Sequence, residues 1–323
     1  MLCMGNVNET DARELMSVME TRLLKDARPL VDDEIPRFRS NRLPTKEEAN
    51  RWFPNRSDEV SAFPVVLNDI VVNTGENNHA VEILIQAPPD HELGYVGIGL
   101  MELLSHLAYP SAFNTLRTKE QLGYIVSAHQ RKTAGDSRFL CIEVQSNAAL
   151  PAQLESRCEA WLETFRKELE DMSEERIEAE ASAVVSQLLE RDTKLSQEVG
   201  RAWGDITRTG DLIGLEKRDP PFDRLQKLAK VLTVGDDFGP TTAKEVKASL
   251  LEMFDRYFAK NSSERRAIVN HVYGQRAREI YEAQKGKDAV LSSYQDTQHF
   301  KQYLHTLPLI PYWIVKEANS KDQ

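Results

Sequence analysis

"FNTLRTKEQLGYIV", residues 113–126, places an arginine and a tyrosine seven positions apart across a change of secondary structure. Phe113 and Leu116 are followed by the polar run Arg117, Lys119, Glu120 and Gln121. Gly123 is predicted to end a short helix, and Tyr124 then stands at the mouth of a strand opened by the β-branched pair Ile125-Val126. Upstream, Leu93, Val96, Ile98, Leu100, Leu103, Leu104 and Leu107 predict a helix over 91–109, which Pro110 ends or kinks. Downstream, "YIVSAHQ" (124–130) and "RFLCIEVQS" (138–146) alternate like paired strands around a Gly135-Asp136 turn.

The same reading extends in both directions. "FPVVLNDIVV" (63–72) and "HAVEILIQA" (79–87) are rich in β-branched residues and read as strands, as does "AIVNHVY" (267–273). Leu154, Cys158, Trp161, Leu162, Phe165 and Leu169 form one stripe of a 3.6-residue period. Ser173 is a good N-cap for a second helix through Ile177, Ala181, Val184, Val185 and Leu188. Leu195, Val199, Trp203 and Ile206 continue a third. Thr242 and Glu245 form a capping box for a fourth, through Val246, Leu250, Phe254 and Phe258. Strands and helices therefore come in blocks over 62–275, which predicts an α+β layered domain with a largely antiparallel sheet packed against several helices.

The first residues differ. "GNVNETDARELMSVMETRLL" (5–24) predicts a helix capped by Asn8 or Thr10, with Ala12, Leu15, Met16, Val18, Met19 and Leu23 as its buried face. Residues 26–58 carry Pro29, Pro36, Pro44 and Pro54 among many charges and read as a linker. A helix and a linker cannot bury a core, so 1–58 are expected to be the tail of a domain whose body lies elsewhere. Residues 62–275 are then a whole domain and 276–323 a C-terminal extension.

Composition narrows the function. A formal charge of -10 argues against nucleic acid or an anionic membrane as the principal partner. Cys3, Cys141 and Cys158 form no CxxC pair, and the N-terminus shows no basic region followed by an apolar run, so a reducing, cytoplasmic setting is expected. Cys141 and Cys158 lie in apolar patterns and read as small buried hydrophobes.

Sites of chemistry are few. His79-Ala80-Val81-Glu82-Ile83 begins like H-x-x-E-H, but Ile83 stands where the second histidine belongs, and the run is a strand rather than a helix. His91, His106, His129, His271, His299 and His305 are scattered singly, so no zinc site is expected within the chain. There is no G-x-S-x-G motif. Arg117 and Tyr124 admit two readings. Their donors can point at a carbonyl oxygen that gains charge during hydrolysis. Equally, Arg117 can pair with Glu120 one turn on, with Tyr124 merely opening a strand.

The 113–126 stretch closely resembles a signature in the C-terminal half of the insulin-degrading enzyme, pitrilysin and nardilysin group of M16 metallopeptidases. The resemblance continues through "QSNAALPAQLESRCEAWLETFRKELEDMSEE", "KLSQEVGRAWGDI" and "LPLIPYWIV", and backwards into "GNVNETDARELMSVMETRL". It implies four related αβ domains in two halves that close around an unfolded peptide. Zinc and its H-x-x-E-H ligands belong to the N-terminal half. The C-terminal half completes the chamber, and the residues matching Arg117 and Tyr124 reach across to position substrate and stabilise developing charge. No H-x-x-E-H occurs in these 323 residues.

On the resemblance, the chain is expected to be the non-zinc half of a zinc-dependent endopeptidase, inactive alone, with peptides and a zinc-bearing half as partners. Self-association through exposed apolar surface is also expected. The competing reading is a stand-alone, non-catalytic M16-like protein that binds peptides or serves in an assembly. A third, a zinc enzyme built on His79 and Glu82, would lose its metal on His79→Ala.

Overall fold

The computed structural model describes residues 2–28, 40–133, 137–207, 224–236 and 238–307. Its strands are β1 (Val66–Ile70), β2 (His79–Gln86), β3 (Ile125–Thr133), β4 (Ser137–Ser146), β5 (Arg266–Tyr273) and β6 (Val290–Leu291). Its helices are α1 (Glu9–Leu23), α2 (Lys46–Trp52), α3 (Asp90–Ala112), α4 (Pro151–Asp171), α5 (Glu174–Leu188), α6 (Leu195–Thr207), α7 (Arg224–Leu232), α8 (Ala243–Tyr257), α9 (Arg278–Gln284) and α10 (Tyr294–Lys301). The strands form one sheet in the order β3-β4-β2-β5-β1-β6. The β3–β4, β4–β2 and β2–β5 pairs are antiparallel, whereas β1 runs parallel to β5 and β6. The predicted α+β layering, with a largely antiparallel sheet, is what the molecule adopts.

Strand alternation assigns the two faces of this sheet. Val81, Ile83 and Ile85 of β2, Leu140, Ile142 and Val144 of β4, and Val126 and Ala128 of β3 are buried under a layer of helices. In that layer α4 begins with Pro151, whose missing N–H costs nothing at a first helical position. Every member of its predicted stripe is buried. The Trp161 and Phe165 rings stack at 5.3 Å, and Phe254 of α8 meets Phe165 edge-on at 5.9 Å. Full burial of one such side chain contributes roughly 1.5–3 kcal/mol.

Charges inside this layer are paired. Glu155 of α4 accepts from Ser61 Oγ and Ala62 N at 2.8 Å each, and its other neighbour is His271 Nε2 at 2.8 Å. Glu159 takes both forks of Arg265, at 2.9 and 2.5 Å. At the start of α3, Asp90 holds the buried Arg138 and accepts from Lys132 Nζ at 2.9 Å. Burial alone would raise the Asp90 pKa, but the hydrogen bonds and charges of Arg138 and Lys132 outweigh it and the pKa is lowered.

The second face is divided. Over β1, β5 and β6 it is covered: Val65, Ile268 and Leu291 pack with Ala49 and Phe300, and Trp52 stacks on Tyr303 at 5.6 Å. Over β3 and β4 it carries partly exposed polar residues, among them Ser127, His129, Arg131 and Glu143.

Several expectations are corrected here. Residues 40–58 do not behave as a linker. Thr45 and Glu48 form a capping box for α2, Ala49 is fully buried, and Leu43 N donates to Gln86 Oε1 at 2.6 Å. Arg56 donates to the carbonyls of Ser61, Phe63 and Pro64. Prolines mark turns, but a seven-residue helix is too short to show a period, and its aromatic partners lie at the other end of the chain. Residues 276–307, the described part of the predicted C-terminal extension, pack on the domain. β6 adds to the β1 edge, and Tyr281 and Phe300 are buried.

Near the N-terminus, α1 forms with the predicted Asn8 cap and an Asn8–Asp11 capping box, yet it buries none of its residues. Leu15, Met16, Val18, Met19 and Leu23 are all exposed. In α6, Leu195 and Trp203 are half exposed. The Gly135-Asp136 turn and most of "LPLIPYWIV" lie outside the described residues.

Candidate functional site

The quoted stretch begins where α3 changes its winding. α3 does not stop at Pro110 but runs through it to Ala112, and Phe113–Lys119 continue as a π-helical segment. Proline has no N–H to give the preceding turn, and wider winding just after it absorbs the mismatch. The segment ends differently from the prediction. Gln121, not Gly123, takes the left-handed conformation, at φ 53. Gly123 serves a close approach instead: a Cβ there would sit 1.8 Å from Gln145 O of β4. The missing side chain lets the backbone lie flat on the sheet edge before Tyr124 turns out.

Two anchors hold this segment. Leu116 is fully buried, and Leu122 N donates to Leu116 O at 3.0 Å. Glu120 is engaged by Arg157 of α4 through two bonds of 2.7 Å. Those bonds and the Glu120 charge raise the Arg157 pKa. The alternative pairing of Arg117 with Glu120 is therefore not the one adopted. Further back, Trp161 Nε1 donates to Ser111 Oγ at 3.0 Å, and Ser111 Oγ donates to Glu168 at 2.6 Å, tying α3 to α4.

Arg117 itself lies between two rings. Its guanidinium carbon is 4.6 Å from the Phe113 centroid and 4.7 Å from the Tyr124 centroid. Tyr109 extends the row, 6.2 Å from Phe113. Such contacts are worth about 0.5–1 kcal/mol each at an exposed site, and they orient the cation without using its N–H donors. Among the described residues no carboxylate or carbonyl accepts from Arg117. Tyr124 is 81% exposed, so its hydroxyl is directed to solvent rather than into the core. The two residues thus lie side by side, with the Arg117 guanidinium over the Tyr124 ring and the N–H donors of Arg117 without a carboxylate or carbonyl acceptor among the described residues.

His79, His106 and His271 are otherwise employed. His79 is buried at the head of β2, where Nδ1 accepts from Gly274 N at 3.0 Å, and burial lowers its pKa. Glu82, three residues on, faces the opposite side of the strand and pairs with Arg131. The two cannot share a metal, so these residues do not fit a catalytic zinc. His106 meets Glu180 at 3.1 Å, and His271 meets Glu155. One grouping was invisible in the linear order. Ligand atoms of His129, Cys141 and Glu143 all lie within 4.8 Å of one another. Only strand register reveals it, because His129 and Cys141 are cross-strand partners.

Residues 103–203, which contain this pair, match the family model described as PQQ synthase PqqF-like, C-terminal lobe domain 4. The chain is 32% identical over 204 residues to the insulin-degrading enzyme of Homo sapiens, a match covering 62% of this chain and 18% of that protein. It is 24% identical over 306 residues to insulin-degrading enzyme-like 1, peroxisomal, of Arabidopsis thaliana, covering 94% of this chain and 28% of that one. The chain therefore spans less than a third of the length of these curated relatives. In fold it is similar to the crystal structure of pitrilysin, with a TM-score of 0.61 at 19% identity, over 95% of this chain and 27% of the other.

Proposed function

The chain belongs to the M16 metallopeptidase family and is similar to its C-terminal half, and from that premise we propose that it forms the non-zinc wall of a peptide-hydrolysing chamber. Its partner is a half bearing H-x-x-E-H, a motif these 323 residues do not contain. Peptides are the substrate class. The zinc and the attacking water belong to the partner half, and no ligand for them is assigned here. Three free cysteines suit a reducing compartment such as the cytosol.

The observation that carries the reading is Arg117, held between the Phe113 and Tyr124 rings with no acceptor among the described residues. An arginine on a surface this rich in carboxylates ordinarily finds one. Here the neighbouring carboxylate, Glu120, is taken by Arg157, which leaves the Arg117 fork open. A guanidinium and a phenol fixed side by side can donate to the carbonyl oxygen of a bound peptide. They bind it more tightly as charge develops on that oxygen, which is how a preorganised donor lowers a barrier. The segment is preorganised by Leu116 and by the Glu120–Arg157 clamp, so little is lost in ordering it.

The test is a fluorogenic-peptide assay on the chain mixed with a zinc-bearing M16 half. Arg117→Ala and Tyr124→Phe are expected to lower kcat by on the order of 10²–10³ while changing peptide binding little. Equal losses in binding and turnover, or no loss, would remove the transition-state role. Intact peptide binding with no turnover in any mixture would replace the reading with a non-catalytic peptide-binding protein.

A further inference from the structure

The bare half of the sheet's second face holds a grouping that the proposed hydrolytic role does not use. We propose that His129, Cys141 and Glu143 form a binding site for a thiophilic divalent cation, zinc being the physiological class, separate from the chemistry of peptide cleavage.

Register creates the site. His129 on β3 is paired with Cys141 on β4, and Glu143 follows Cys141 on the same face. One nitrogen, one sulfur and one oxygen thereby converge from two adjacent strands of a sheet, with all ligand atoms within 4.8 Å of one another. Closing around an ion with bonds of about 2.0–2.3 Å needs only side-chain rotation. A mixed imidazole, thiolate and carboxylate set suits zinc or cadmium and is a poor match for magnesium or calcium.

The surroundings are arranged as an outer shell. Ser127 Oγ lies 3.0 Å from His129 Nδ1; with Nδ1 donating to it, Nε2 keeps its lone pair for a metal. Arg131 spans Glu82 and Glu143, at 2.5 and 3.1 Å, and reaches only Oε1 of Glu143. The Cys141 sulfur also faces that Oε1, at 3.6 Å, and no described residue engages Oε2. Glu143 can turn Oε2 to an ion while Arg131 stays with Glu82.

Charge favours occupation. The bare cluster, counting Glu82, Glu143 and Arg131 with a protonated thiol, carries a net charge of about -1. Binding a dication while the thiol releases one proton to solvent brings it to zero. Burial, reinforced by Glu143, pushes the free Cys141 thiol up to about 12, and displacing its proton is a cost that the metal–sulfur bond has to offset. Glu143 and His129 are partly exposed, so the ion enters from the open face although Cys141 is buried.

The experiment uses the full reduced chain, with cadmium chloride followed by ultraviolet absorption and zinc chloride followed by calorimetry. One equivalent of cadmium is expected to produce a sulfur-to-cadmium charge-transfer band. That band should vanish in Cys141→Ser and persist in Cys3→Ser. His129→Ala, at a partly exposed position, should weaken zinc at least about tenfold while leaving the far-ultraviolet circular dichroism of the chain unchanged. No band in the native chain, a band surviving Cys141→Ser, or undiminished zinc affinity in His129→Ala would each overturn the proposal.

Discussion

Helices α1 and α4 each carry an apolar face and meet opposite fates. In α4, Leu154, Cys158, Trp161, Leu162, Phe165 and Leu169 are all buried, and the helix even buries Glu155 and Glu159 with partners supplied by strands and loops. In α1, with a well-formed capping box and a broader apolar face, Leu15, Met16, Val18, Met19 and Leu23 remain exposed. Capping and periodicity are local and shape both helices alike. What covers a stripe is a matter of which other surfaces the chain brings to it. An amphipathic pattern states which face favours burial and nothing about the partner.

The comparison breaks most sharply at Trp161. Trp161→Ala removes the stack on Phe165 and leaves Ser111 without its indole donor, and it should cost about 3–5 kcal/mol in urea unfolding. A loss under about 1 kcal/mol would mean that the α4 layer repacks freely. Next is the charge on the same helix. Glu159→Gln leaves the Arg265 guanidinium buried without a counter-charge, and a loss of a similar ~3–5 kcal/mol is expected, whereas Glu9→Gln in the exposed Glu9–Arg13 pair of α1 should leave the urea midpoint unmoved. A midpoint shift from the α1 variant as large as that from the α4 variant would show that the pairs are not distinguished by burial.

The smallest effect on stability is expected where the stripe is bare. Leu15→Ser with Met19→Ser should change unfolding free energy by no more than about 0.5 kcal/mol. The same change should reduce concentration-dependent self-association in size-exclusion chromatography, since an exposed apolar strip favours contact with another surface. A native chain that elutes as a monomer at every concentration would show that the strip is silent in isolation.

Much of the molecule was legible in one dimension. β2, β4 and β5 were recognisable from runs of Val, Ile and Leu, and α5 and α8 from Ser173 and the Thr242–Glu245 box. Arg117 and Tyr124 were named from the sequence because their spacing and setting resemble a known signature. Their mutual contact was not legible. It depends on a π-helical winding after Pro110 and on a left-handed Gln121, neither of which has a periodic signal. The role of Gly123 was misread for a similar reason. A glycine before a strand looks like a helix stop, whereas here it clears the backbone of Gln145, which is distant in sequence.

The amino-acid order alone determined the class of fold and which face of each helix favours burial, because period, caps and composition act over a few residues, and its resemblance to a known signature picked out Arg117 and Tyr124. Tertiary structure decided what those local rules cannot reach. It joined residues 40–58 to the C-terminal helices, assigned Glu120 to Arg157 rather than Arg117, and set His129 beside Cys141 through strand register. The physical reason is common to all three. Pairing across a sheet or between layers is won by whichever long-range contacts bury the most surface with every polar group satisfied, and that competition is settled only when the whole chain is folded.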